Sequence, residues 1–373
     1  MIKCVVFVFA SLLPVVAVAQ SISSVSGTWA DGDTITINGS SFGTKSPAAP
    51  AYFSDFEDLV VGEMIEDGWS QPNDLTVGVL GTDAYAYSGS RSLMIDTYYN
   101  EHTFHQVIRD LGAHSEDFYF ATRLRIGDET ACGPGQFKAW MVSSSPGVYT
   151  VDEDTTYGSR TTRMSNLFHL YDGTPDYWGN TGYITYSGAT LDGGSLGRYS
   201  RPDITSYGFS MNEWMSIENT IIGSSSSGSD DGVYLMQRVG HGEDLDNQTD
   251  VVTWIDGDAF YRYVMIGQTW LITYDCDIYY DDMYIDITAA RVMLGDNSTW
   301  GACTVRDHQI PTLWSPTSIQ VEVNNDSFSA DDTAYLFVVD ADGNVSDGYA
   351  ITIGASESAS ITAPTNLTAT KVE

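Results

Sequence analysis

Positive charge is scarce in this chain. Its 373 residues carry 16 Lys and Arg against 50 Asp and Glu, a formal net charge of -34. Such a surface repels nucleic acid and anionic lipid, so neither is an expected partner. Cysteine is scarce too: Cys4, Cys132, Cys276 and Cys303, with no Cys/His spacing of the kind that holds zinc. Apolar residues at helical spacing are almost missing, which argues against a helical domain. Beyond the first 19 residues no uncharged run is long enough to span a bilayer, which takes ~20 residues. No serine-hydrolase elbow, phosphate-binding loop or HExxH metal motif occurs.

The first 19 residues have their own pattern. A basic end (Met1-Ile2-Lys3) precedes an apolar run from Cys4 to Val18, and Ala17-Val18-Ala19 stands before Gln20. Charge, apolar core and small residues at a cleavage point describe a secretory leader. The mature protein is therefore expected to be secreted, to the extracellular space or the cell surface. Export permits a disulfide, and among Cys132, Cys276 and Cys303 all three pairings stay open.

What the chain has in quantity is Gly (35), Tyr (23) and short alternating segments rich in Ser, Thr and Asp. Aromatic and β-branched residues favour strands, and Gly, Asn and Asp supply turns. The expected fold is all-β: a large β-sandwich of jelly-roll type with a smaller sandwich beside it.

Near the start stand Ile22-Ser23-Ser24-Val25-Ser26-Gly27 and Asp33-Thr34-Ile35-Thr36-Ile37-Asn38-Gly39, followed by Phe42-Gly43. Near the far end stand Trp314-Ser315-Pro316-Thr317-Ser318-Ile319-Gln320-Val321 and Tyr335-Leu336-Phe337-Val338-Val339, with Asp342-Gly343 and Ser346 after them. Both sets resemble the IPT/TIG family of immunoglobulin-like domains, the first set its opening and the second its close. The resemblance implies one such domain split between 20–49 and 296–354, with residues 50–295 inserted as the jelly roll. Insertion at a loop with neighbouring ends is physically tolerable. The alternative is a truncated first repeat and a separate C-terminal sandwich. Residues 355–373 form a Ser/Ala/Thr-rich tail, expected to be flexible.

Within the insert, Asp55-Phe56-Glu57, Trp69, Ser88-Gly89-Ser90-Arg91-Ser92-Leu93, Trp214-Met215-Ser216-Ile217-Glu218, Asp231-Gly232-Val233-Tyr234 and Asp281-Asp282-Met283-Tyr284-Ile285-Asp286 follow one another. This string resembles the concanavalin A-like lectin/glucanase superfamily, which holds lectins, glucanases and jelly-roll polysaccharide lyases. The resemblance implies a carbohydrate-directed sandwich whose first and last strands lie side by side. It then implies that Asp55 and Glu57 face Asp281 or Asp282, a carboxylate set suited to a structural Ca²⁺; paired acidic turn residues are the other reading.

Strand alternation assigns side chains to faces. In the segment 118–126, Phe118, Phe120, Thr122, Leu124 and Ile126 form one face, and Tyr119, Ala121, Arg123 and Arg125 the other. In 136–142, Phe137, Ala139 and Met141 are expected to face the core, leaving Gln136, Lys138 and Trp140 outward. In 163–170, Met164, Asn166, Phe168 and Leu170 oppose Arg163, Ser165, Leu167 and His169. A sheet gathering Lys138, Trp140, Arg123 and Arg125 with Arg163 would form a positive, ring-bearing groove in a negative molecule. That suits an acidic polysaccharide; an ordinary solvated face is the plainer alternative.

Cleavage of a uronate polymer by β-elimination needs a carboxylate neutraliser, a base and an acid. Arg163 or Asn166 is the candidate neutraliser, His169 or a tyrosine the base, and Tyr183 or Tyr186 the acid. Measured against alginate lyases the motifs depart: Arg160-Thr161-Thr162-Arg163 lacks the glutamate, and Leu167-Phe168-His169 replaces a Gln-x-His. A retaining glucanase's run of three spaced acids on one strand is absent. His102 and His105 are assigned to a strand, and His114, His241 and His308 to loops. Three readings follow. One is a secreted protein that recognises an acidic polysaccharide, with or without cleaving it by β-elimination. The second is a non-catalytic carbohydrate-binding or adhesin-like surface protein. The third is a structural module.

Overall fold

The computed structural model describes residues 19–70, 78–95, 107–127, 135–143, 161–170, 178–187, 198–200, 212–241, 244–251, 253, 261–270 and 277–357. Residues 1–18, Cys132, Cys276, His102 and His105 lie outside the described residues. Among the described residues no helix is long and apolar enough to cross a membrane.

The chain opens with β1 (Ser21–Thr28) and β2 (Thr34–Ser40). Short strands follow: β3 (Tyr52–Ser54), β4 (Trp69–Ser70), β5 (Val79–Thr82) and β6 (Ser92–Ile95). Then come β7 (Val107–Ser115), β8 (Phe118–Ile126), β9 (Gly135–Ser143), β10 (Thr161–Leu170), β11 (Trp178–Ser187) and β12 (Arg198–Ser200). β13 (Trp214–Ile222), β14 (Gly232–Arg238), β15 (Asp244–Val251), β16 (Tyr261–Trp270) and β17 (Ile278–Asp286) continue the middle of the chain. β18 (Arg291–Gly295), β19 (Arg306–Ser315), β20 (Ser318–Glu322), β21 (Thr333–Val339), β22 (Tyr349–Thr352) and β23 (Ser356–Glu357) close it.

These strands form an all-β molecule around a jelly-roll sandwich. One of its sheets has seven strands, in the order β12-β11-β10-β9-β16-β7-β4. The other runs β15-β14-β13-β8-β17-β6-β5, with β3 paired to β17. The two sheets meet over one core. Phe118, Phe120, Leu124, Ile217, Ile278 and Tyr280 come from the second sheet, and Trp140, Val142, Val264 and Ile266 from the first. Alternation along β8 builds this core: Phe118, Phe120, Leu124 and Ile126 have no exposed surface. Each buried side chain of this size contributes roughly 1.5–3 kcal/mol.

A third sheet joins both ends of the chain, in the order β22-β21-β18-β19-β20-β2-β1-β23. β2 pairs with β20 from Thr34↔Glu322 to Asn38↔Ser318. β19 pairs with β18 through Arg306–Gln309 and with β20 through Ile310–Ser315, so it bends between two layers. Those layers enclose Val25, Trp29, Ile35, Ile37, Val292, Leu294, Ile319, Val321, Leu336 and Val338. Phe42 packs onto Gly39, where a Cβ would sit 2.4 Å from the ring; the spacing of glycine and phenylalanine in this turn is a packing requirement. Two boundaries differ from the sequence expectation. β18, placed with the insert, pairs with β19 and β21 in this terminal sheet. Ser356–Glu357, placed in the tail, pairs with Gly27–Thr28.

Candidate functional site

The residues singled out for carbohydrate chemistry fall on β9, β10 and β11, which are hydrogen-bonded neighbours. In register, Asn166 stands opposite Trp140 on one side and Gly182 on the other. His169 stands opposite Gln136 and Gly179, and Arg163 opposite Ser143 and Thr185. Lys138 is level with Leu167 and, on β16, with Gln268. Tyr183 faces Ser165 and Tyr186 faces Thr162. The register between β9 and β10 slips at Ala139, so adjacent Asn166 and Leu167 meet Trp140 and Lys138. Such a bulge bends a strand and re-aims its side chains. Arg163 and His169 are six positions apart, about 20 Å at ~3.3 Å per residue. That is the reach of an extended polymer rather than of one reacting carbon. Sequence reading missed Arg198, which β12 places opposite Tyr183. Its signal was an Arg-Tyr-Ser run too short to be recognised as a strand.

Three expected members stand elsewhere. Trp140 is fully buried. Its ring lies on Phe120 (centroids 5.3 Å, stacked) and beside Phe118 (5.6 Å), so it is part of the core and not a sugar platform. The expected faces of β9 are reversed at Trp140 and Val142, which share the inward stripe, whereas beyond the slip Lys138 is level with Leu167, which alternates with Asn166. Arg123 and Arg125 belong to β8, which pairs with β13 and β17 in the other sheet. Chain order placed β8 beside β9; the chain in fact changes sheet between them.

The face of β8 that carries Arg123 is covered by the terminal sandwich. Arg123 is buried, with Nη2 2.5 Å from Asp307 Oδ1 and Nε 3.6 Å from Asp282 Oδ2. Glu218 on β13 meets Arg306 of β19 at 3.1 Å and Arg291 of β18 at 3.5 Å. Lys45 meets Asp286 at 2.7 Å. His308, expected in a loop, is buried on β19 with Nε2 2.7 Å from the Tyr119 hydroxyl. Burial, and then the charges of Arg291, Arg123 and Arg306, hold its imidazole well below the usual range, so it is neutral. The cavity among Arg123, Asp282, Asp307 and His308 measures about 10 Å³, which is room for no more than one water. This junction joins two sandwiches and holds no sugar.

The four carboxylates expected around Ca²⁺ have other partners. β3 does lie beside β17. Glu57, however, accepts the N–H groups of Ser90 and Arg91 (both 2.7 Å) and the Ser90 hydroxyl (2.9 Å). Desolvation opposes its ionisation, but these donors hold its carboxyl below the usual range. Asp281 Oδ2 accepts the N–H of Tyr87 (2.7 Å) and of Ser88 (3.3 Å), and Asp282 Oδ1 the Ser88 hydroxyl (2.7 Å). A register shift follows Asp281, and Asp282 has φ 45°. The bulge lets both consecutive carboxylates reach one loop, at a backbone cost on the order of 1–3 kcal/mol. Burial raises Asp281 to about 8 and Asp282 to about 6. Asp55 is exposed and accepts the N–H of Glu57. Among the described residues no three His, Cys, Asp or Glu side chains gather as a metal site needs. Here the carboxylates anchor the loop 83–91 between β5 and β6. Cys303 is a buried free thiol.

No family model matches the chain, and no curated protein matches it. Among solved structures, the alginate lyase Aly36B is 15% identical over 71% of this chain and 98% of its own, with a TM-score of 0.35. The Chlorella virus alginate lyase vAL-1 is 10% identical over 52% and 84%, with a TM-score of 0.37. A non-specific endo-β-1,3(4)-glucanase of family GH16 is 12% identical over 69% and 96%, with a TM-score of 0.35.

Proposed function

We propose that this chain is an exported polysaccharide-active protein that recognises an acidic, uronate-containing polymer along β9, β10 and β11. The observation that carries this reading is the register. It sets Lys138 on β9, Arg163 and His169 on β10, Tyr183 on β11 and Arg198 on β12 in neighbouring register, while Asn166 and Tyr186 alternate to the other face of the sheet. In a chain with 16 Lys and Arg against 50 Asp and Glu, cations collected on one sheet attract a polyanion that the rest of the surface repels. The terminal sandwich, an immunoglobulin-like frame in this reading, holds the jelly roll.

β-Elimination on the same sheet is a second reading, favoured by the register of the β10–β11 pair, in which Arg163 and the Tyr183 partner Ser165 are two positions apart and so fall on one face. The base removes the proton at C5, the C4–O4 bond breaks, and the electron pair becomes the C4=C5 double bond. Arg163 donates to the uronate carboxylate, and Tyr183 gives its proton to the leaving oxygen. The test is retention on an immobilised uronate polymer, with ultraviolet absorbance followed in solution. Recognition predicts retention that Lys138→Ala and Arg163→Ala weaken. Cleavage adds absorbance that grows with time and stops in Tyr183→Phe. Absence of retention on every uronate polymer overturns both readings.

A further inference from the structure

Away from β9–β11, on the outward face of the sheet that contains β8 and β17, the strands build a row of rings. Trp214 on β13 is the register partner of Arg125 on β8, and Arg125 that of Tyr279 on β17. Directly opposed residues in antiparallel strands share a face, so these three side chains run abreast. The loop 83–91 lays two more rings over them. The Arg125 guanidinium is 4.1 Å from the centre of the Tyr85 ring, and Tyr85 meets Tyr279 edge-on at 5.1 Å. Tyr87 covers Arg123 at 4.3 Å and meets Trp214 edge-on at 6.2 Å. The terminal sandwich covers the neighbouring row at Arg123 and stops short of this one: Tyr85 remains 45% exposed.

The loop is fixed before any ligand arrives. Glu57, Asp281 and Asp282 hold its backbone and serines through the hydrogen bonds described above. Arg125 also donates both Nη groups to Asn212. Three buried or half-buried carboxylates spent on one short surface loop are explained if the rings it carries must stay in place. Rigid rings with hydrogen-bonding groups at their rim suit the apolar face of a pyranose, whose hydroxyls stay at the edge. The rim decides the charge of that sugar. Asp277 accepts the Tyr279 hydroxyl at 3.3 Å, and Glu213 is exposed beside Trp214. Acidic groups there repel a uronate and accept from neutral hydroxyls. A cationic ligand is disfavoured in turn, because Arg125 already places a positive charge against the inner face of Tyr85.

The geometry points to a second carbohydrate site here, for a neutral polysaccharide, centred on Tyr85 and distinct from β9–β11. It stands on this aromatic row alone and does not depend on the reading of the other sheet.

The experiment is native electrophoresis of the protein through gels containing hydroxyethylcellulose, a galactomannan, a mixed-linkage β-glucan or, separately, alginate. At least one neutral polymer is expected to slow migration. Tyr85→Ala should weaken that retardation about tenfold, and Tyr85→Phe should preserve it. Alginate retardation should be the same in all three proteins. Tyr87→Ala supplies a second variant, and thermal melting shows that each is folded. Migration unaffected by every neutral polymer, or Tyr85→Ala retarded as strongly as the parent, overturns the proposal.

Discussion

Glu218 Oε1 lies 3.1 Å from Arg306 Nε, and this contact ties the jelly roll to the terminal sandwich. Both side chains are about 95% or more buried, as is that of Arg291, the second partner of the same carboxylate. A buried pair of this kind is weak evidence of net stability, but removing one partner leaves the others uncompensated. Glu218→Gln is therefore expected to cost about 3–5 kcal/mol. Thermal and urea unfolding measure it, and a change within ~0.5 kcal/mol would show that the junction does not depend on this carboxylate.

Trp140→Ala tests the core assignment. With the ring packed on Phe118 and Phe120, truncation is expected to cost about 3–5 kcal/mol. An outward platform tryptophan would instead leave the melting temperature unchanged and weaken only sugar retention.

Gly89 tests the anchored loop. Its φ is 53°, and a Cβ there would lie 2.4 Å from the Glu57 carboxyl carbon. Gly89→Ala is expected to lower stability by about 1–3 kcal/mol and to loosen Tyr85 and Tyr87, measured by melting and by hydrogen exchange across 83–91. Glu57→Gln should act in the same direction, because the amide accepts fewer of the donors offered by Ser90 and Arg91.

The pH dependence follows from the same carboxylates. Burial, and then the charge of Asp282, raises Asp281 to about 8, while burial raises Asp282 to about 6. Desolvation and the charges of Asp282 and Asp307 raise Asp326 to about 7. An acid whose folded pKa exceeds its unfolded value, near ~3.9, binds more protons in the folded state between the two. Stability then falls as pH climbs from ~4 through ~8. Glu57 acts oppositely, since its lowered pKa means that its contribution is lost on acidification below ~4. The melting temperature is expected to peak near pH ~4 and decline by pH ~8.5, with a shallower decline in Asp326→Asn. A melting temperature that rises from pH 5 to pH 8.5 would contradict these assignments.

Local rules made part of this legible. The alternation of Phe118, Phe120 and Leu124 against Tyr119, Ala121 and Arg123 is visible in the sequence, and the family resemblance implied that the insert's first and last strands lie side by side, as β3 and β17 do. What alternation does not say is what lies over each face. Arg123 looked outward because its partner, Asp307, is 184 residues away in sequence. The stripes of β9 are nearly balanced in apolarity, and only Phe118 and Phe120 from the facing sheet decide that Trp140 points inward. His308 sits among polar residues that read as a loop, yet Tyr119 and Tyr284 enclose it. The carboxylates at 57, 281 and 282 announced a shared task, but whether a cation or a loop backbone receives them depends on Ser88, Ser90 and Arg91 arriving from another strand connection.

The most direct test of the central claim is equilibrium binding of a defined uronate oligosaccharide to the protein at two salt concentrations. The account predicts measurable affinity that falls with added salt and weakens about tenfold in each of Lys138→Ala, Arg163→Ala and Arg198→Ala, with Arg125→Ala unchanged. Affinity untouched by all three substitutions, or lost only in Arg125→Ala, would place the acidic ligand off the β9–β11 sheet and contradict it.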